Sequence, residues 1–465
     1  MNDFLLAERY LRVVSGVGRL RPVVLTGTAC LLAAMLGCGD VYRPIVTNIP
    51  PVQPAPQPPK YAIVASCGVD QGNPNAVTIQ QACSNPNSTG LVSFVDFSGD
   101  STLIRLNLAS GPVWMGLGDD GTDGYTTNVD GTINNFNITT SEETNKIQTS
   151  TLLPNANPNS VLSMNAGKVY VSEPGRNAVA YLNGYPAAVQ LEIPVTANPV
   201  YFVGNTLSQR FYTLSEGPGA TATSCTPTSG NGTITAIEVT TSTISAVIPA
   251  GICPVFGIMT QENRRAFVLN KYSGTITVID SQQNQLDLDA NNPNNPIAPN
   301  FRNGVITLPT GPNGLAPQPV WADIYNTGSV LAVVSQQSNT LTLINISLDS
   351  YGNDTPNFGQ IIATIPVGNN PSSVAVLQDG TRVYVANQAD GTVSSVSLTS
   401  NQVLATIPVS GHPISIAATT GTPTGKVYAV SPDSNILSII RTDDDTISNS
   451  LVMTGTGVQV SVTDQ

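Results

Sequence analysis

The chain has 465 residues, of which 10% are charged and 6% aromatic, and its 40 Gly and 35 Pro interrupt it too often for a helical protein. A hydrophobic fraction of 40% supplies a sizeable core, which excludes wholesale disorder. The formal charge of −12 excludes a nucleic-acid surface, because neutralising phosphates takes clustered Lys and Arg, and a single His excludes most His-rich metal sites.

Residues 1–37 read as a targeting signal rather than part of the fold. Arg19 and Arg21 precede an uncharged apolar stretch of 15 residues, Val23 to Gly37. That is shorter than the about 20 residues a membrane-spanning helix needs. The stretch ends at Met35-Leu36-Gly37-Cys38, which resembles a bacterial lipobox, where a Gly precedes a Cys that becomes diacylated and then N-terminal. Cys38 is the lipidation site this resemblance implies. Met35 and Leu36 depart from the Leu and small residue usual at those positions, so ordinary signal-peptidase cleavage stays open as the alternative. The segment carries four Arg, one Asp and one Glu, so its removal deepens the charge from −12 to −14. In lipoproteins of this kind an Asp directly after the Cys resembles an inner-membrane retention signal. Here Gly39 follows and the Asp comes one later, at Asp40, which points to the outer membrane, on a side the sequence does not fix.

Residues 38–60 hold Pro44, Pro50, Pro51, Pro54, Pro56, Pro58 and Pro59, a density that favours an extended polyproline II spacer between a lipid anchor and a domain. Of the six Cys, Cys30 leaves with the signal and Cys38 takes lipid. The remaining four, Cys67, Cys83, Cys225 and Cys253, read as two disulfides in an exported chain. Three pairings are open, and sequence proximity favours Cys67–Cys83 with Cys225–Cys253. None has the C-x-x-C spacing of a zinc site.

From Tyr61 to Gln465 the chain reads as strand after strand, an all-β domain. The clearest unit starts at Pro371. Ser373 to Leu377, Arg382 to Asn387, Gly391 to Leu398 and Gln402 to Val409 make four short strands, with Asp379-Gly380 as the first turn, and His412-Pro413 restarts the cycle. Four short strands in 42 residues is the pattern of a β-propeller blade. The Pro anchors are Pro112, Pro158, Pro199, Pro254, Pro319, Pro371 and Pro413, with an Asn/Pro-rich insertion at 281–304. Residues 112–155 are the weakest repeat. At the C-terminal end Gly457 to Val462 reads as an innermost strand without followers. Tyr61 to Ser66, Gly90 to Phe97 and Thr102 to Leu108 read as followers without an innermost strand. Joined, they make a composite blade that closes the ring without an open edge, for a count of eight blades, with seven as the alternative.

Tyr384-Val385-Ala386-Asn387, with weaker copies at Tyr170-Val171-Ser172, Phe267-Val268-Leu269-Asn270 and Tyr428-Ala429-Val430, resembles the YVTN repeat family of β-propellers. Gly274 to Asp280 is a good third strand of the same pattern. The resemblance is specific for architecture and nearly silent on activity. Some enzymes with this propeller, such as lactonases acting on sugar acids, use polar residues of the central pocket, and related repeats occur in archaeal surface-layer proteins.

Few residues offer chemistry. His412, in an inter-blade loop, is the only imidazole and so the one His available as a catalytic base. Trp114 and Trp321 each follow a Pro anchor by two residues, which places both on first strands near the central channel, as core or as a stacking platform for a ligand. Asp119, Asp123 and Asp130 resemble part of a calcium loop, although Gly121 and Asp130 break the pattern and Asp120-Gly121 doubles as the blade's own turn. No cofactor or metal is expected, and calcium is the one alternative for which residues are at hand. Asp287 belongs to a polar inserted loop, and Asp443-Asp444-Asp445 to a solvated hairpin. The reading is a lipid-anchored envelope propeller that serves as a non-catalytic binding or scaffold module for a protein or glycan partner. The alternatives are a lactonase-like hydrolase with a central-channel site and a passive surface coat.

Overall fold

The computed structural model describes residues 60–463 apart from 69–82, 84–88, 109, 119–121, 139–146, 165–166, 184–187, 206–207, 222–223, 289–297, 328 and 420–424. The segments read as signal and spacer, residues 1–59 with Cys38, and also Asp119 therefore lie outside the described residues. Each Pro-led repeat is an antiparallel sheet, of four strands in sequence order in every blade but IV, where the insertion adds short strands for a sheet of six. Blade I spans 112–151, II 161–194, III 199–252, IV 254–307, V 319–366, VI 371–408 and VII 415–452. In blade VI the strands are Pro371–Val376, Arg382–Asn387, Thr392–Ser397 and Gln402–Pro408, within two residues of the sequence expectation. The eighth sheet is composite. Gly455–Val462 is its innermost strand and pairs with Tyr61–Gly68, which leads outward to Gly90–Asp96 and Thr102–Leu108. Each innermost strand touches that of the next blade, all the way round. The chain is an eight-bladed β-propeller. The weakest repeat, 112–155, is a full blade, and the count of seven is not realised.

The period-2 alternation of the strands builds the core between sheets rather than inside them. In Arg382–Asn387, Val383 and Val385 point to blade V, where they meet Ala332, Val334 and Leu343. Tyr384 and Ala386 point the other way, to Ile416, Val427 and Ile440 of blade VII. Each such side chain is worth roughly 1.5–3 kcal/mol on burial.

The motif's last letter has a structural role. Asn387 ends the second strand of blade VI, and its Nδ2 donates to Thr392 Oγ1 at 3.0 Å and Ser394 Oγ at 2.9 Å on the third. Asn270 repeats this with Thr275 at 3.1 Å and Thr277 at 2.9 Å, and Asn128 with Thr132 at 2.9 Å and Asn134 at 2.6 Å. In blade II the same position is Glu173, fully buried, whose carboxyl burial pushes up to about 8.

The basic residue that opens the second strand grips the next blade. Lys168 Nζ donates to the Val239 carbonyl at 2.5 Å, and Lys426 Nζ to the Phe97 carbonyl and Asp100 Oδ1 at 2.6 Å each. Arg382 donates to the Thr442 carbonyl, and Tyr384 Oη to Asp445 Oδ1 at 2.6 Å. The gripped hairpins turn through a left-handed residue, among them Asp100, Ser242 and Asp445. Asp445 is thus an inter-blade clamp and not merely part of a solvated turn.

The inserted loop of blade IV is likewise anchored. Arg265 is buried and donates from Nε to Asp287 Oδ2 at 2.6 Å and from Nη2 to Asp354 Oδ1 at 2.9 Å. A buried guanidinium needs such partners, so Asp287 faces inward where the polar composition pointed to solvent. Asp354 is pushed up to about 7 by its own burial and by the neighbouring Asp287 carboxylate, against the pull of Arg265.

Candidate functional site

The eight innermost strands run in the same sense around the central channel, so residues equally far from each Pro anchor share a level. Two positions after the anchor stand Trp114 in blade I, Tyr201 in III, Phe256 in IV and Trp321 in V. Blades I and V are opposite one another in a ring of eight, yet the Trp114 and Trp321 rings are 5.9 Å apart. Their contact therefore bridges the channel. Tyr201 completes the circuit at 5.4 Å from Trp114 and 4.8 Å from Phe256, and Phe256 stacks on Trp321 at 4.3 Å. Burial in this cluster pushes the Tyr201 hydroxyl well above the usual phenol range. Such pairs each contribute about 0.5–1.5 kcal/mol beyond area burial. Both Trp of the chain thus stand on first strands at the channel, as their spacing implied, and they sit in a mutual aromatic plug. Tyr201 and Phe256 follow Pro199 and Pro254 by the same two residues, so one rule covers all four, although the sequence reading applied it only to Trp.

The corresponding residues of blades VI and VII are Ser373 and Ser415. The plug is therefore lopsided, and beside it lies a cavity of 170 Å³. Its walls are Phe256 and Ile258, Trp321 and Asp323, Ala375, Ser415 and Ala417, and Gln459 and Ser461 of the closing blade. Two polar groups of the wall, and Ser373 next to it, are engaged between blades. Ser373 Oγ accepts from Ile416 N at 3.3 Å, and Ser415 Oγ from Val460 N at 3.2 Å. Gln459 is buried, accepts from Met115 N at 2.7 Å and donates to the Met115 carbonyl at 2.8 Å, so its amide imitates a strand pair.

Asp323 is the one ionisable group in the cavity wall. Oδ1 accepts from its neighbour Ile324 N at 2.8 Å and Oδ2 from Val376 N of blade VI at 2.7 Å. Burial pushes its carboxyl up to about 6, against those two donors, which favour the ionised form. The side chain keeps part of its surface because it faces the cavity. The sequence reading missed Asp323. Its signal was an acidic residue four positions after a Pro anchor, where blades VI and VII carry Ala375 and Ala417.

His412 lies in the exposed loop between blades VI and VII. Its Nδ1 is 2.6 Å from Asp433 Oδ2, and its own N–H donates to Asp433 Oδ1 at 2.8 Å. The carboxylate fixes the ring on the surface, away from the cavity wall. Asp123 and Asp130 stand on either side of the strand Asp123–Asn128, and Asp130 Oδ1 accepts from Thr132 N at 3.0 Å and Thr132 Oγ1 at 2.6 Å. A six-residue strand spans about 17 Å, so the structure does not bring these two carboxylates together. Among the described residues no group of three or more His, Cys, Asp or Glu is placed to hold a metal ion.

Cys67 pairs with Cys83 and Cys225 with Cys253, with Cα separations of 5.8 and 6.0 Å. The second bond ties the loop after Arg210–Ser215 to the step into blade IV. Next to it Asn198 Nδ2 donates to Glu216 Oε2 at 2.5 Å, and burial pushes Glu216 up to about 7. Two disulfides fit an oxidising, exported environment. Among the described residues no helix is long and apolar enough to cross a membrane.

No protein-family model matches the chain, and no curated protein matches it in sequence. Solved structures do. Apo AztD from Citrobacter koseri is 10% identical, with 86% of this chain and 98% of that one covered and a TM-score of 0.55. The dihydro-heme d1 dehydrogenase NirN in complex with DHE is 10% identical, with 88% and 76% covered and a TM-score of 0.58. Sqt1 of Saccharomyces cerevisiae is 11% identical, with 74% and 86% covered and a TM-score of 0.55. The likeness is one of fold.

Proposed function

We propose that the chain is a lipid-anchored envelope propeller of the YVTN-repeat kind and works as a non-catalytic binding or scaffold module for a protein or glycan partner. One observation carries this reading: the only imidazole and the one ionisable group of the channel cavity are apart, each with partners of its own. The only imidazole is on a surface loop against Asp433, and the channel carboxylate is held by two backbone N–H groups. A hydrolase needs its nucleophile, base and orienting group within hydrogen-bond reach of one another. A ring closed through its own termini instead presents many loops rigidly, which suits recognition. Cys38 is the proposed lipid attachment, on the outer membrane.

The test is affinity capture from envelope extract with oxidised residues 60–465 as bait, followed by saturable binding of the recovered protein or glycan to purified bait. A specific partner with a measurable Kd supports the reading. Recovery of only the bait favours a surface coat, and turnover of lactones or esters that His412→Ala abolishes overturns it. Anchoring is checked separately by fatty-acid labelling of the full chain, which Cys38→Ser should remove.

A further inference from the structure

We propose that the channel cavity beside the aromatic plug binds a small protonated amine, with its ammonium on Asp323 and its alkyl part against Trp321 and Phe256. Size sets the first limit. A cavity of 170 Å³ holds the volume of about six waters, at roughly 30 Å³ each, so the part of the ligand it seats has a handful of heavy atoms. Charge sets the second. Asp323 is a carboxylate with no ion pair among the described residues, and each of its oxygens keeps a lone pair beyond the backbone N–H it accepts. An anion would be repelled there, and a neutral alcohol would leave the charge unpaired. A divalent metal is a poor fit, since one carboxylate between apolar walls falls far short of the six or more oxygens calcium takes. An alkylammonium matches both halves of the site, because Ile258, Ala375 and Ala417 add apolar wall on the sides where Asp323 does not reach. Ser461 lines the same cavity. The acidic net charge of −12 draws cations toward the molecule as a whole.

The chain reports on this site by itself, since its two Trp are both in the plug. The experiment titrates oxidised residues 60–465 with n-propylammonium and n-butylammonium at constant ionic strength and reads Trp emission. The matched neutral probes are 1-propanol and 1-butanol. The expected result is a saturable change with the amines and at least a tenfold weaker one with the alcohols. On the strands that wall the cavity, the only other titratable side chain is Tyr325, so amine affinity should fall about tenfold per pH unit below 6 as Asp323 takes its proton. Asp323→Asn, with its fold checked by circular dichroism, should lose the amine response. If that variant does not fold, the amine-to-alcohol ratio and the pH profile of the unaltered chain decide. Equal response to amine and alcohol, an unsaturable response, or unchanged binding in folded Asp323→Asn each overturns the proposal.

Discussion

Gln459 offers the sharpest test of how the ring is held shut. It lies on the C-terminal strand, and its side-chain amide spans to the backbone of Met115 in blade I at 2.7 and 2.8 Å. Met115 is 1% exposed, so with Gln459 in place both bonds are shielded from water. Gln459→Ala leaves one buried N–H and one buried carbonyl unpaired. Each costs about 1–3 kcal/mol, for a loss of about 2–6 kcal/mol. That is a large share of the 5–15 kcal/mol typical of a folded protein. Gln459→Glu keeps an acceptor for Met115 N but turns the other oxygen, if ionised, toward a carbonyl, so it should lose as much above neutral pH and recover part of it when the carboxyl is protonated. The assay is urea denaturation of oxidised residues 60–465 followed by Trp emission. A loss under 1 kcal/mol for Gln459→Ala would show that the closing blade is held by its other ties, among them its valines, its pairing with Tyr61–Gly68 and its bonds with Lys426 and Ser415, and would refute a role for the amide in closure.

Removing the Cys225–Cys253 bond, which closes a loop of 28 residues, should lower stability by about 3–4 kcal/mol in the chain-entropy model, and the Cys67–Cys83 bond, with 16, by about 3 kcal/mol; urea denaturation of the two paired Cys→Ser variants measures each. Asp323, Glu216, Asp354 and Glu173 are pushed up to about 6, 7, 7 and 8, so the folded chain holds protons that the unfolded chain has already released. Stability should therefore fall as pH rises from about 4 to about 8, with Asp323 alone accounting for about 3 kcal/mol. Asp323→Asn should flatten the part of that slope below pH 6, as read from melting temperatures across the range. Asn387→Ala should cost about 1–3 kcal/mol by removing two hydrogen bonds to the third strand. Ser335→Ala, at the equivalent position of blade V, removes a buried hydroxyl that has no partner and should be neutral or stabilising in the same denaturation assay.

The architecture was legible because it is written in turn chemistry and period-2 patterning, repeated. Pro371, Asp379-Gly380 and Asn387 each mark a fixed place in blade VI, and the composite blade followed from leftover strands at both ends. The disulfide pairing followed from proximity along the chain, and the layout agrees for Cys225–Cys253, since a loop between second and third strands and an inter-blade step share one face. What the sequence left obscure depends on distance across the ring. Nothing local to Asp445 tells that it takes the Tyr384 hydroxyl from the preceding blade, 61 residues away. Nothing local to Gln459 names Met115, which is 344 residues away. Asp287 looked like loop composition because the buried Arg265 that needs it belongs to another strand.

The candidate site arises where the repeats stop agreeing with one another. Aromatics two places after the Pro on blades I, III, IV and V fill one side of the channel, and Ser373 and Ser415 leave the other side open. If that opening is truly vacant space, a larger side chain should settle into it. Ala417 lines the cavity with a methyl that is 3% exposed and also borders the core between blade VII and the closing blade, so a longer side chain has the cavity on one side and packed protein on the other. Ala417→Leu adds three carbons, and at about 0.8 kcal/mol per buried CH2 it should stabilise the fold by about 2 kcal/mol while removing the Trp response to propylammonium. Forcing the same side chain into packed protein would instead cost about 1–3 kcal/mol. The two outcomes differ in sign, so one melting curve separates them. A destabilised Ala417→Leu would mean that the lopsided plug leaves no usable room, and the difference between the blades would then be a detail of packing rather than a site.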